Sequence, residues 1–419
     1  MAVSSTQEKS YTERMQRING AIELRQPDRV PIFLAFGLFP ARYAGMTYEE
    51  AFFNLDGWLS ANQKAIGDFE PDLYFQPGAA VITGGAVHET LQNRQLRLPG
   101  RELPPDVSFQ FVEGEYMTAE EYDAFLTDPS DFAIRTYLPR VFGALEGLGY
   151  LPTLKSMVMG YAGAALSAML SLPPIAAALD TLARAGEEAM RWTAGYMEFE
   201  KRMDALGFPA FSSSVTLAPF DLISDMLRGM RGAMLDMYRC PDKLIAAQEM
   251  LLPTLVDAPV LQAQMSGNPR VFIPLHRGAD GFMSVEQFER FYWPGFRDLV
   301  LALIDAGLTP CPFFEGTYDQ RLQYLRQFPP GKVAGIFDRS DLFKAKEIIG
   351  DVMCISGDMP LSLLQTGTPE QVREYAKKLI DVVGKGGGFI MNSNTVLDEA
   401  DPGLLRVWVD FTREYGVYA

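Results

Sequence analysis

Short apolar runs recur along this chain, each followed by a turn and then by a stretch with helical periodicity. The clearest are RVPIFLAF (29–36), DLYFQP (72–77), FPAFSSSV (208–215), RVFIPLHRG (270–278), LTPCPFFEG (308–316), KVAGIFDRS (332–340), DVMCISGD (351–358) and GGFIMNSN (387–394). Apolarity that is continuous rather than alternating marks strands buried on both faces, the habit of parallel sheets. Between them lie amphipathic stretches such as 284–307 and 368–388, the second opening on Thr368 as an N-cap and closing on a glycine run. Strict alternation of such units predicts an α/β fold. No run is followed by a glycine-rich dinucleotide fingerprint, so a (β/α)8 TIM barrel is expected rather than a doubly wound sheet. GKGGG (384–388) precedes a strand instead of opening a helix and reads as a loop. A helical extension comes before the first strand, and residues 116–207 read as a helical insertion, all within a single domain spanning 1–419.

One stretch departs from this rhythm. Residues 156–179, SMVMGYAGAALSAMLSLPPIAAAL, carry no charge and are long enough to span a bilayer. Pro173-Pro174 interrupts them and their residues are small, so the expectation is a buried pair of closely packed helices and no membrane span. A lid over an apolar ligand fits the same composition.

The bulk numbers narrow the function. With 53 acidic against 37 basic residues the net charge is −16, a field that repels nucleic acid. The three cysteines, Cys240, Cys311 and Cys354, are odd in number and far apart, which suits neither a disulfide framework nor a zinc knuckle. Together with a polar, charged opening unlike a secretory leader, they lead to the expectation of a reducing cytoplasm.

In a barrel of this kind the chemistry gathers at the C-terminal ends of the strands. Those ends carry Tyr74 and Gln76, Ser212 to Ser214 with Asp221 beyond, His276 and Arg277, Glu315, Asp338 and Arg339, Asp358, Asn392 and Asn394. His276 is one of two histidines and ends an apolar strand, where imidazole offers a proton acceptor or a metal ligand unless it is a core residue bonded to a carbonyl. The other, His88, sits in the loop-like GGAVHET. Glu315 and Asp338 end consecutive strands and are expected side by side on the rim, where a partly apolar mouth would push one pKa up and give an acid/base candidate. With His276 they would make a partial metal site, or they pair with Arg277 and Arg339; no HExxH-type spacing supports a metal. Phe313, Phe314, Tyr318 and Phe282 are expected to shape an apolar pocket.

Three stretches resemble the uroporphyrinogen decarboxylase superfamily: ERMQRINGAIELRQPDRVPIF (13–33), the segment from FPAFSSSV to PDKL (208–244), and SGDMPLSLLQTGTPEQVREYAKKLI (356–380). The resemblance implies a TIM barrel and one of two activities, porphyrinogen decarboxylation without a cofactor or methyl transfer involving a corrinoid. The decarboxylase's arginine stretch falls at 34–45, where Arg42 and Tyr43 remain, and the acidic chain suits a polycarboxylate poorly. The methyltransferase branch's zinc-binding His-x-Cys-Gly falls on Phe313-Phe314-Glu315-Gly316, and its last cysteine falls near Thr395. Phe313 thus replaces the histidine and Glu315 the cysteine, which removes the thiolate zinc used to activate thiols.

What the resemblance then implies is methyl transfer between a small, largely apolar or aromatic substrate, such as a methyl ether, and the cobalt of a corrinoid (cobalamin). Glu315, His276 and Asp338 would do the chemistry. Arg277, Tyr74, Asp221, Phe313, Tyr318, Asp358, Asn392 and Asn394 would surround the substrate. The corrinoid would ride on a partner protein, since no DxHxxG occurs in this chain. Direction of transfer, a divalent metal such as zinc, and a homo-oligomeric state stay open. The rival readings are a cofactor-free decarboxylase or lyase using Arg42, Arg277 and the acid pair, and a non-catalytic ligand-binding paralogue.

Overall fold

A parallel strand forms within each of the apolar runs. In the computed structural model, which describes residues 5–81, 84–158 and 162–418, these are β1 (Phe33–Leu34), β2 (Leu73–Tyr74), β3 (Ser214–Val215), β4 (Arg270–Leu275), β5 (Thr309–Phe314), β6 (Ala334–Phe337), β7 (Cys354–Met359) and β8 (Phe389–Ser393). Strands β3 to β8 pair in chain order, each parallel to the next, and β1 pairs with β2. Two bridges join these sheets: Tyr74 with Ala210 just before β3, and Ile32 just before β1 with Met391 of β8. The backbone hydrogen bonds Phe211 N to Tyr74 O and Met391 N to Pro31 O, both 2.9 Å, complete the ring. The chain is a (β/α)8 barrel, as the apolar pattern predicts.

Side chains alternate across each strand, and the barrel sorts them accordingly. Phe33, Phe75, Phe211, Phe272, Phe313, Ile336 and Ile390 fill the interior, with Phe33 stacked on Phe211 at 4.4 Å and Phe75 edge-on to Phe272 at 5.4 Å. Their neighbours Val271, Ile273, Leu275, Phe314, Phe337, Ile355 and Met391 face out beneath the helices. Those helices begin where their caps lie. Thr368 and Gln371 make the capping box of helix Pro369–Val382, and Asp341 caps Leu342–Ile349.

The N-terminal helix Ser5–Ile22 closes the bottom of the barrel, burying Ile18, Ala21 and Ile22 against the interior cluster. A buried carboxylate fixes it there. Asp72 accepts from Arg17 Nη1 (2.6 Å), both Arg29 Nη atoms (2.7 and 2.9 Å) and the Ile32 amide (2.8 Å), tying the helix to the starts of β1 and β2.

The insertion is helical, as its pattern predicts, and ends in the long helix Pro173–Ala205. The apolar stretch inside it corrects the expectation of a buried helix pair. Residues 159–161 lie outside the described residues, but Ala162–Leu170 and Pro173–Ala205 meet at 82° rather than side by side. Gly163 to Ala165, Ser167, Ala168 and Ser171 to Pro174 are exposed; Ile175 and Ala178 are buried in a small core, with Met169 and Leu170 packed half-buried against it. Among the described residues one further helix, Pro241–Ser266, has the length and apolar composition of a membrane span, and it carries two internal prolines, Pro253 and Pro259.

Replacing Asp72 with alanine leaves Arg17 and Arg29 without their buried partner. The expected loss is about 3–5 kcal/mol of unfolding free energy, measured by urea denaturation.

Candidate active site

Strand alternation carries three side chains to one place. On β4, Phe272 and Pro274 face the barrel axis, so His276 follows them inward just past the strand end. On β5 Phe313 points in and Phe314 out, which turns Glu315 in; on β6 Ile336 points in and Phe337 out, which turns Asp338 in. All three line one cavity of about 710 Å3 at the C-terminal mouth of the barrel. His276 Nε2 lies 3.7 Å from Glu315 Oε1. Asp338 accepts from the Gly316 amide at 3.1 Å and from Asn394 Nδ2 at 3.2 Å, which holds it beside Glu315.

The imidazole is fixed from behind by a residue the sequence pattern does not single out. Asp225 Oδ2 meets His276 Nδ1 at 2.5 Å, while Oδ1 accepts from Arg277 Nη2 at 2.9 Å. Asp225 sits on a π-helical turn, Ile223–Arg228, immediately after the short helix Pro219–Leu222. Wider turns of this kind recur at functional sites because they re-aim a side chain. One turn earlier, the fully buried Asp221 accepts from the amides of His276 (3.1 Å) and Arg277 (3.0 Å) and from the Tyr292 hydroxyl (2.7 Å). The signal was an i, i+4 acid pair in DLISDMLR, which reads equally as a solvated helix face.

These contacts set the protonation states. Burial favours neutral His276, but the Asp225 hydrogen bond and the charges of Glu315, Asp221 and Asp225 outweigh it and raise the imidazole to about 9. Burial also raises Glu315, helped by Asp338 and Asp225 and opposed by His276 and Arg277. Burial pushes Asp221 to about 7. Near neutral pH the site therefore holds an imidazolium whose Nε2 proton faces a carboxylate of raised pKa.

The rest of the wall is apolar. Phe75, Phe272 and Phe313 line it below, with Leu38 and Val396 beside them. A cap formed by helix Gly85–Leu91 and the antiparallel pair Leu96–Arg97 and Gln110–Phe111 brings His88, Asn93, Gln95, Phe109 and Phe111 over the mouth. His88 Nδ1 lies 3.1 Å from Asn93 Nδ2. Asp398, whose Oδ1 accepts from the Leu38 amide at 2.6 Å, adds a fourth carboxylate. The cap and Asp398 come from turn-rich segments whose sequence has no period to read.

Other expected residues lie elsewhere. Tyr74 points out of β2, because Leu73 and Phe75 take the inward positions, and packs edge-on to Phe199 of the insertion. Tyr318 is buried beneath the loop after β4, 3.4 Å from the Leu275 carbonyl. Asp358 is held by the Tyr375 hydroxyl (2.9 Å) on a covering helix, and burial raises it to about 7. Asn394 supports Asp338, Asp221 supports the loop after β4, and Asn392 lies deeper, on the interior floor among Phe33, Phe211 and Ile336. Arg42 is exposed and pairs with Glu399. Phe282 lies under Arg277, whose guanidinium is 5.3 Å from its ring.

The donor set does not make a metal centre. Among the described residues no three His, Cys, Asp or Glu side chains converge on a point. Nδ1 of His276 is committed to Asp225, and Cys311 and Cys354 are buried in the interior cluster.

Residues 205–415, half of the chain and all of β3 to β8, match the sequence family described as uroporphyrinogen decarboxylase (URO-D). Among curated proteins, uroporphyrinogen decarboxylases of Chlorobium phaeovibrioides and Chlorobium luteolum are each 33% identical over 78 residues, 18% of this chain. The chain thus matches 22%, about a fifth, of the length of those relatives. A methyltransferase from Methanosarcina mazei is similar in fold over 95% of this chain and 98% of its own, with a TM-score of 0.60 at 13% identity.

Asp225→Asn removes the charge behind His276. The imidazole midpoint, followed by NMR titration, is expected to fall from about 9 by roughly 1–3 pH units. An unmoved midpoint would assign the raised pKa to Glu315 and Asp221 instead.

Proposed function

This chain belongs to the uroporphyrinogen decarboxylase family, and on that premise we propose that it is a methyltransferase taking a methyl group from a small aryl methyl ether. The observation that carries the reading is the His276–Glu315 pair, set at the mouth of a cavity walled by phenylalanines, with the imidazole raised to about 9. Breaking an O–CH3 bond leaves a phenoxide, whose conjugate acid has a pKa of about 10. An imidazolium near 9 is protonated at neutral pH and is still more acidic than a phenol, so it has both the proton and the driving force to protonate the oxygen as it leaves.

The roles follow from position. Phe75, Phe272, Phe313 and Phe109 hold the ring; Asp225 orients His276; Nε2 of His276 gives its proton to the ether oxygen. Glu315 keeps that proton in place and returns one from solvent, while burial, with the charge of Asp338, keeps Glu315 from ionising too readily. The methyl acceptor would be the reduced cobalt of a corrinoid on a partner protein, a second substrate that meets the donor at the open mouth. The bond that breaks is O–CH3 and the bond that forms is cobalt–carbon, with the proton of His276 completing the phenol.

Decarboxylation of a polycarboxylate fits the same wall poorly. It presents Asp225, Glu315, Asp338 and Asp398, and His276 and Arg277 both already hold Asp225. The same charge balance selects among ethers, since a ring bearing a carboxylate meets repulsion and no uncommitted partner in His276 or Arg277.

Purified protein with free cob(I)alamin and a panel of anisoles and methoxyphenols is expected to form methylcobalamin, followed by absorbance, with neutral ethers outcompeting methoxybenzoates. No transfer from any donor, with a corrinoid protein supplied, would remove the reading.

Glu315→Gln is expected to lower kcat/KM by about 10²–10⁴-fold. In the unsubstituted protein kcat/KM falls as pH rises through about 9, because His276 must be protonated to act. A flat profile from pH 7 to 10 would argue against the imidazolium as acid.

A further inference from the structure

Helix Pro173–Ala205 buries one face and leaves another open. Ile175, Ala178, Ala185, Trp192 and Phe199 turn inward. Leu172, just before the helix, and Ala176, Leu179, Ala183, Gly186, Met190, Thr193 and Met197 along it recur at alternating steps of four and three. They form a heptad seam on the outer side, and all but Gly186 are exposed. Met190 is 73%, Leu172 48%, Met197 47% and Leu179 37% exposed. An isolated exposed methionine needs no explanation, but a heptad seam running nearly the length of a helix does.

Gly186 is the second observation. It lies mid-helix, where glycine is the poorest choice but proline. A Cβ added there meets nothing within 4 Å of its own chain. The fold does not require this glycine, and its lack of a side chain would let another backbone approach closely.

The occupant follows from the symmetry of the pattern. A seam stepped four-three-four-three reads the same in both directions, so an antiparallel copy meets it layer for layer. Leu172 faces the partner's Met197, Ala176 the partner's Thr193, and Leu179 the partner's Met190. At the centre Ala183 faces the partner's Gly186, so the smallest residues meet where the helices cross. The charges agree. In nearly the same register Asp180 comes opposite the partner's Arg191, and Arg184 opposite the partner's Glu187, on the solvent side of the seam. In the single chain Asp180 pairs with Arg184 (3.0 Å) and Arg191 with Glu188 (2.6 Å), exposed pairs that exchange at little cost. We propose that this seam is an isologous interface through which two copies of the chain associate as an antiparallel helix pair.

Sedimentation equilibrium of the full chain tests this. The expected result is a dimer that becomes monomeric on Met190→Glu and also on Gly186→Leu, the latter melting no lower than the Met190→Glu monomer, because a Cβ there meets nothing in its own chain and leucine favours the helix. Arg184→Glu is expected to raise the dimer dissociation constant at least about tenfold, and Arg184→Glu/Glu187→Arg to restore it. A chain monomeric at every concentration would overturn the proposal, as would a dimer that survives both seam variants, or a monomer that floats with phosphatidylcholine vesicles and is released by Met190→Glu.

Discussion

Asp225 is the residue on which the site depends. One carboxylate holds Nδ1 of His276 and the guanidinium of Arg277, and it stands on a turn that would aim elsewhere if it were regular α-helix. Without it the imidazole would lose its orientation and the strongest of the interactions that keep it protonated, leaving the charges of Glu315 and Asp221 to oppose burial. Asp221, a turn earlier, has the complementary role of fixing the backbone of the same two residues. Two acids on one short segment thus set both the position and the charge of the histidine, and neither needs to touch a substrate.

The barrel was legible because its signal is redundant: each strand is an apolar run, each run is followed by a helix, and inward and outward positions alternate. The same alternation made His276, Glu315 and Asp338 legible, since each stands two residues beyond an inward side chain at a strand end. It also explains the misplacements. Tyr74 is adjacent to, not in step with, the inward Leu73 and Phe75; Tyr318 lies past the end of β5 and is buried against the Leu275 carbonyl; Asp358 stands within β7 but is held by the hydroxyl of Tyr375 on a covering helix. Asp225 and the cap residues were not legible, because their placement depends on a wide turn and on loop packing, neither of which has a period.

The end of β5 lies at the mouth of the candidate site. What stands there in this chain is a pairing of opposites: Phe313 extends the apolar floor and Glu315, two residues on, begins the acidic rim. A cavity with an oily base and a proton-holding rim discriminates by shape below and by charge above. It can take an uncharged ring and still act on an oxygen at its edge, which is the combination the proposed reaction requires.

The insertion obeys a different logic from the barrel. Its long helix has two apolar faces, one spent on Trp192 and Phe199 against the barrel side and one turned to solvent. Sequence patterning cannot tell these apart, because both consist of apolar residues at helical spacing; that is why the stretch read as buried. The difference appears only when the first face is assigned to the chain's own core and the second has no counterpart among the described residues. An apolar face at heptad spacing, with a glycine that nothing in its own fold requires, is a surface whose complement lies outside the single chain. The simplest complement, given a pattern that is its own reverse, is the same helix again.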